Sequence, residues 1–171
     1  NFETPYAGLN LAYVTESYAD DEKGTPITAD DIVQTANWRL RPAHQWYSDA
    51  QRKNSAARNM RLMGAKIDWM GGDWWYLTGQ ALSAYAGGAG GYSEGHWGGG
   101  IYGPSWKNAQ IYAEMLMGAG GGGGIDSGNA LMFKPSVGLE FQLTPKLSLQ
   151  TGLGKVISKG GNLNSNFLEA N

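Results

Sequence analysis

The chain contains two histidines, and only His96 stands in chemically suggestive company. Ser93, Glu94 and His96 sit together in Tyr92-Ser93-Glu94-Gly95-His96-Trp97. A serine, a carboxylate and an imidazole are the parts of a nucleophilic hydrolase, where a base takes the hydroxyl proton and a third group orients the base. Residues this close along a glycine-rich segment seldom reach that geometry, so the reading with more weight is a surface loop. His44 lies in a polar stretch and reads as exposed. A second set of capable side chains is Lys66, Asp68, Glu114, Lys134 and Glu140. Both signs are represented, each residue falls on a polar strand face, and the expected role is an ion-pair network rather than acid–base chemistry. There are no cysteines and no Asp-x-Asp-x-Asp-Gly loop, so the sequence offers no metal site and points to no cofactor.

The elements that must carry these residues repeat with period two. Over 107–156 the odd strand positions are apolar almost throughout: Ala109, Ile111, Ala113, Met115, Met117 and Ala119, then Leu131, Phe133, Pro135, Val137, Leu139, Phe141, then Leu147, Leu149, Thr151 and Leu153. The even positions carry Gln110, Tyr112, Glu114, then Lys134, Ser136, Glu140, Gln142, then Ser148 and Gln150. Successive strand side chains point to opposite faces, so these are strands with one oily and one polar surface, joined as an antiparallel meander. Similar alternation marks strands over 5–15, 59–70 and 74–86, with Gly71-Gly72-Asp73 as a tight hairpin. Residues 31–41 read as a strand in preference to a helix over 29–38 started by Thr28 and Asp31. The chain then reads as one domain over 1–171, with loops at about 16–30, 42–57 and 87–106 and an eighth strand from 163.

Composition narrows the function. With 171 residues, a net charge of −2 and no basic stripe, nucleic-acid binding is not indicated. Only 16% of residues are charged while 27 are glycine, which suits hairpins with crowded faces. No apolar run is long enough for a membrane-spanning helix. The chain begins at Asn1, as expected after removal of a signal peptide or after trimming. Period two does not say which face meets solvent. Three features favour an oily exterior. The polar faces hold mainly Asn, Gln, Ser, Thr and Gly with single charges. Aromatics gather near strand ends (Tyr13, Trp38, Trp69, Trp74, Trp75, Tyr85, Trp106), and strand length matches a bilayer crossing. On that arrangement Ile111, Met115, Phe133, Val137, Leu139, Phe141 and Leu149 face lipid.

Phe141-Gln142-Leu143-Thr144-Pro145-Lys146-Leu147-Ser148-Leu149-Gln150, with a tight turn at 143–146, resembles the periplasmic hairpins of small bacterial outer-membrane β-barrels. Pro135-Ser136-Val137-Gly138-Leu139-Glu140-Phe141 is similar to strands of that porin-like superfamily, and the likeness covers 59–157 more closely than 1–58. It implies an all-β, antiparallel, up-and-down transmembrane barrel of about eight strands in a Gram-negative outer membrane. Its partners would be outer-membrane lipid and lipopolysaccharide. Adhesins, enzymes and anchors share this architecture, so it does not name an activity. The last strand lacks the terminal aromatic usual in the family, which implies a shortened chain. Pro135 implies a bulge, since proline removes a ladder donor. If every strand crosses from a periplasmic N-terminus, the 87–106 loop falls on the side where short turns are expected. Pro5-Tyr6-Ala7-Gly8 is similar to a motif of outer-membrane lipid A deacylases.

The expected function is a structural or interaction barrel, a subunit of a larger envelope assembly. Gly118 and Gly120 to Gly124 form either a flexible hairpin tip or a flat surface for a protein partner or a second copy. The alternatives are a lipid A-modifying hydrolase and a soluble barrel that binds an apolar ligand inside.

Overall fold

A computed structural model describes residues 38–54, 56–144 and 147–171. Eight strands run in order: β1 Trp38–Gln51, β2 Ala57–Met70, β3 Trp75–Ala86, β4 Ser93–Trp106, β5 Ala109–Gly121, β6 Leu131–Thr144, β7 Leu147–Ser158 and β8 Asn164–Ala170. Each pairs antiparallel with the next, and β1 pairs with β8 to close the barrel. Alternation implied the antiparallel strands, and the resemblance to small outer-membrane barrels implied the eight-stranded, up-and-down architecture that is observed.

Two of the strands are not the ones the sequence suggested. The expected loop 42–57 is mostly the second half of β1, and the expected loop 87–106 is a turn followed by β4. In β1 the inward residues are Arg41, Ala43, Gln45 and Tyr47, while Pro42, His44 and Trp46 point outward. Neither set is uniformly polar or apolar, so period two was masked. In β4 glycine occupies both faces, inward at Gly98 and Gly100 and outward at Gly95 and Gly99, which removes the contrast alternation depends on. The expected strand 5–15, the loop 16–30, Pro5-Tyr6-Ala7-Gly8, and the Pro145 and Lys146 of the expected turn lie outside the described residues, as does most of the strand 31–41.

Counting 93–106 as a strand removes the orientation conflict. The adjoining ends of β2 and β3, of β4 and β5, and of β6 and β7 lie at one end of the barrel; those of β1 and β2, β3 and β4, β5 and β6, and β7 and β8 lie at the other. We call these the turn end and the loop end. The bulge expected at Pro135 is also absent. The β6–β7 ladder passes from Phe133↔Ile157 to Ser136↔Gly154 in unchanged register, skipping Lys134 and Pro135. A missing donor interrupts pairing without requiring an extra residue. Register shifts occur elsewhere, between Tyr47 and Ala50 and between Tyr102 and Ser105.

The inward positions form a filled interior. Three tyrosines, Tyr76, Tyr102 and Tyr112, meet near the turn end, and an apolar cluster of Met60, Leu62, Leu82, Tyr92, Met132 and Phe167 fills the loop end. Glycine makes room for the rings. A Cβ on Gly100 would fall among the ring atoms of Tyr76, and one on Gly138 or Gly152 would meet the Tyr112 hydroxyl. Gly100→Val is therefore expected to lower unfolding stability by about 1–3 kcal/mol through overpacking. Gly79→Ala, with its nearest neighbour 3.8 Å away, is expected to stay within about 0.5 kcal/mol of wild type. Urea titration of the refolded protein reads both; equal effects would mean that Gly100 does not accommodate Tyr76.

Candidate functional site in the lumen

The inward charges form a connected polar column. At the turn end β1 supplies Arg39 and Arg41, β2 supplies Asp68, β4 supplies Tyr102 and β6 supplies Glu140. Arg39 Nη1 donates to Glu140 Oε1 at 2.8 Å, and the Tyr102 hydroxyl donates to Glu140 Oε2 at 2.6 Å. Arg39 also donates to Tyr102, and Arg41 pairs with Asp68. The guanidinium of Arg39 lies 5.6 Å from the Tyr102 ring centre, adding a cation–π contact.

At mid-height Lys66 Nζ donates to both oxygens of Glu114, at 2.6 and 2.5 Å, and the Tyr76 hydroxyl donates to Glu114 Oε1 at 2.6 Å. Beside this pair, Glu169 of β8 accepts from the Tyr112 hydroxyl at 2.8 Å and from Gln45 Nε2 at 3.0 Å. Nearer the loop end, Lys134 Nζ donates to Glu94 Oε1 and to Gln45 Oε1, each at 2.7 Å. Tyr47 and Tyr92 complete the shell of Glu94 at 2.6 and 2.7 Å. The Lys134 ammonium also lies 4.9 Å from the Phe167 ring centre.

Among the described residues the network sets Arg39, Arg41, Lys66 and Lys134 against Asp68, Glu94, Glu114, Glu140 and Glu169. Charges almost balance, and tyrosine hydroxyls supply the remaining donors. Such matching is what burial demands, because an unpaired interior charge costs several kcal/mol. Lys66, Asp68 and Lys134 are 0–1% exposed, so the centre is packed with side chains and holds no open channel at that level.

The loop end is closed by a backbone-and-arginine cap. Arg52 donates to the carbonyls of Gly87, Gly88 and Gly123 at 2.7, 3.0 and 3.1 Å. Asp126 accepts from Asn162 Nδ2 at 2.6 Å and from the Leu163 backbone through its own carbonyl at 2.9 Å. All four loop-end connections are thereby tied together. Desolvation and the nearby Arg58 pull the Arg52 pKa down. Gly122, Gly123 and Gly124 have positive φ, as this turn requires, while Gly118 and Gly120 face the lumen. The glycine run is thus a hairpin tip and lumen lining, and its glycines do not form a flat outer surface.

The five network residues named from sequence, Lys66, Asp68, Glu114, Lys134 and Glu140, all point into the lumen. Arg39, Arg41, Glu94 and Glu169 are not among the network residues the sequence suggested, whereas Tyr112 falls on the polar face as its even position implies. A signal existed for Glu94, His96 and Tyr102, which share even phase with Glu114 and Lys134, but the glycines of β4 hid it. The Ser93, Glu94 and His96 constellation does not assemble. Ser93 points outward and its hydroxyl pairs with Ser83 at 2.8 Å, while Glu94 and His96 point inward. His96 Nδ1 is 3.8 Å from Glu94 Oε1, and neither ring nitrogen has a hydrogen-bond partner. His44 is on the outer wall, its Nε2 2.5 Å from the Tyr85 hydroxyl. Ile111, Met115, Phe133, Val137, Leu139, Phe141 and Leu149 lie on the outer wall. No group of three His, Cys, Asp or Glu among the described residues is arranged to hold a metal.

Removing one partner of the central pair tests its weight. Lys66→Met strands Glu114 with Tyr76 alone and is expected to cost about 3–5 kcal/mol of unfolding free energy. Lys66→Met combined with Glu114→Gln is expected to restore at least half of that loss, because no buried charge is left unmatched. Additive losses in the double variant would show that the two side chains do not act as a pair.

Comparisons with protein-family models, with curated proteins and with solved structures find no match to this chain.

Proposed function

We propose that the chain is a transmembrane β-barrel of a bacterial outer membrane, with a filled, ion-paired lumen and a structural or interaction role. One observation carries the reading: the barrel is polar inside and apolar outside. Leu40, Ile67, Leu77, Ile101, Ile111, Met115, Val137 and Leu139 are each 40–59% exposed, whereas Lys66, Asp68 and Lys134 are buried. Water penalises so continuous an apolar wall, and soluble monomers rarely expose apolar patches beyond a few hundred Å². Hydrocarbon does not, and it demands the closed hydrogen bonding that a barrel provides.

The aromatics support the same placement. Trp38 is paired with Trp69 near the turn end, with Trp74 and Trp106 exposed beside them, while Trp46, Tyr85 and Trp97 stand toward the loop end. Trp38 and Trp46 are eight residues apart on β1, about 27 Å along the strand. Tilted by roughly 40°, that span approaches the ~25 Å apolar band of outer-membrane barrels.

The soluble alternative requires the odd-position side chains of β2–β7 to line an apolar interior. They line the exterior, and a column of paired charges occupies the interior, which supports the membrane reading over the soluble one. A Ser-His hydrolase has no support from Ser93 and His96, which lie on opposite faces. What remains is a rigid plugged cylinder whose tied loops form a surface suited to contact.

The protein is expected to require detergent or lipid for refolding and to shift its gel mobility on boiling. Leu139→Arg should cost about 2–4 kcal/mol in lipid vesicles. A protein that stays monomeric without detergent and tolerates this change within about 0.5 kcal/mol would overturn the membrane reading. Because the lumen is packed, planar-bilayer recordings are expected to show no steady conductance; stable open levels would contradict the plugged interior.

A further inference from the structure

The outer wall carries an amphipathic groove of about 580 Å³ across β1, β2, β7 and β8. Its origin lies in the ladder. The β1–β8 pairing covers His44↔Ala170 through Tyr47↔Phe167 and then stops, because β1 bulges between Tyr47 and Ala50. Beyond that point Ser48 holds β8 through its side chain, Oγ to the Asn166 carbonyl at 3.2 Å. The two strands separate, leaving a depression over Tyr47, Met60 and Phe167. Its volume lies within the range of small-molecule sites.

The groove walls are graded. Strand register aligns Arg61, Trp46, Leu168 and Leu153 across four adjacent strands. Trp46, Leu153 and Leu168 form its apolar side, in continuity with the oily wall. Ser48, Asn59 and Asn166 form its polar side toward the loop end. Arg61 lies at one margin; Lys155 is outside the lining, directly opposite the lining residue Asn166 in the β7–β8 ladder. Neither cation has an ion-pair partner among the described residues, in contrast to the paired cations of the lumen. No carboxylate lines the groove; Asp49, at the bulge, is engaged through its backbone N–H with Asn59.

The geometry points to a binding site for one membrane lipid bearing a phosphate headgroup. Its acyl chain would lie along Trp46, Leu153 and Leu168, and its phosphate against Arg61, with Lys155 beside Asn166 adding positive charge to the surroundings. The apolar side excludes a free phosphate as the natural occupant, and the two unmatched cations select an anionic headgroup over a neutral one. The site rests on the outer-membrane reading, since it opens at the boundary between the apolar wall and the loop end.

Native mass spectrometry of the full chain, refolded in non-ionic detergent, tests it. The probes are phosphatidylglycerol, phosphatidylcholine of the same acyl chains, and inorganic phosphate. One retained phosphatidylglycerol per barrel is expected, with a preference of roughly tenfold or more over phosphatidylcholine. Arg61→Ala with Lys155→Ala should remove that preference, and Leu168→Asp should weaken retention of both lipids. Equal retention of the two lipids, or unchanged selectivity in the double variant, would identify ordinary annular lipid and overturn the site. Displacement of the lipid by inorganic phosphate at equal concentration would overturn the lipid as occupant. Boiling shifts on the same samples separate the two levels: shifted, inserted barrels without selective retention sink only the groove, whereas absence of any shift sinks the membrane reading itself.

Discussion

The structure depends on the pairing of charges within a closed interior. Lys66 and Glu114 meet at mid-barrel, 2.5 and 2.6 Å apart, with essentially no solvent contact. A charge taken from water loses several kcal/mol of hydration, which only a close opposite charge and further hydrogen bonds offset. Every neighbouring feature follows that demand. Tyrosines project from β1, β3, β4 and β5 because a hydroxyl on a rigid arm can reach across the lumen to a carboxylate. Glycines stand under those rings because the eight-stranded interior has no spare volume.

The same demand explains the distribution of polarity along the barrel. The charged column runs from the turn end through the middle to the Lys134–Glu94 pair nearer the loop end. Toward the loop end the interior becomes apolar, with Met60, Leu62, Leu82, Met132 and Phe167 packed beneath the tied connections. Among the described residues Arg52 closes this end without a carboxylate partner, using three backbone carbonyls as acceptors. A barrel stabilised from within in this manner leaves its exterior free to be apolar. That freedom is the physical basis of the membrane reading and of the lipid site proposed at the β8 seam.

The rigidity of the lumen also bears on chemistry. His96 is enclosed between Glu94 and the glycines of β4, away from the outward Ser93, so the most suggestive residues in the chain cannot cooperate. Contact surfaces are better sought on the loop-end connections and the outer wall, where side chains are accessible and the scaffold holds them in place.

The alternation of Ala109 through Phe141 determined strands and their antiparallel order, because a period of two leaves no other regular structure. It also placed Lys66, Asp68, Glu114, Lys134 and Glu140 on one face. It could not find β4, where glycines on both faces leave nothing to alternate, nor the second half of β1, where Pro42, His44 and Trp46 share the outer face. Nor could it assign the inside. Period two is symmetric under exchange of faces, and only closure of β1 on β8 turned one set of side chains inward. That closure brought Arg39 to Glu140 and Lys134 to Glu94, pairs from strands far apart in sequence. Which charge meets which is a property of curvature and register, and neither is written in any single strand.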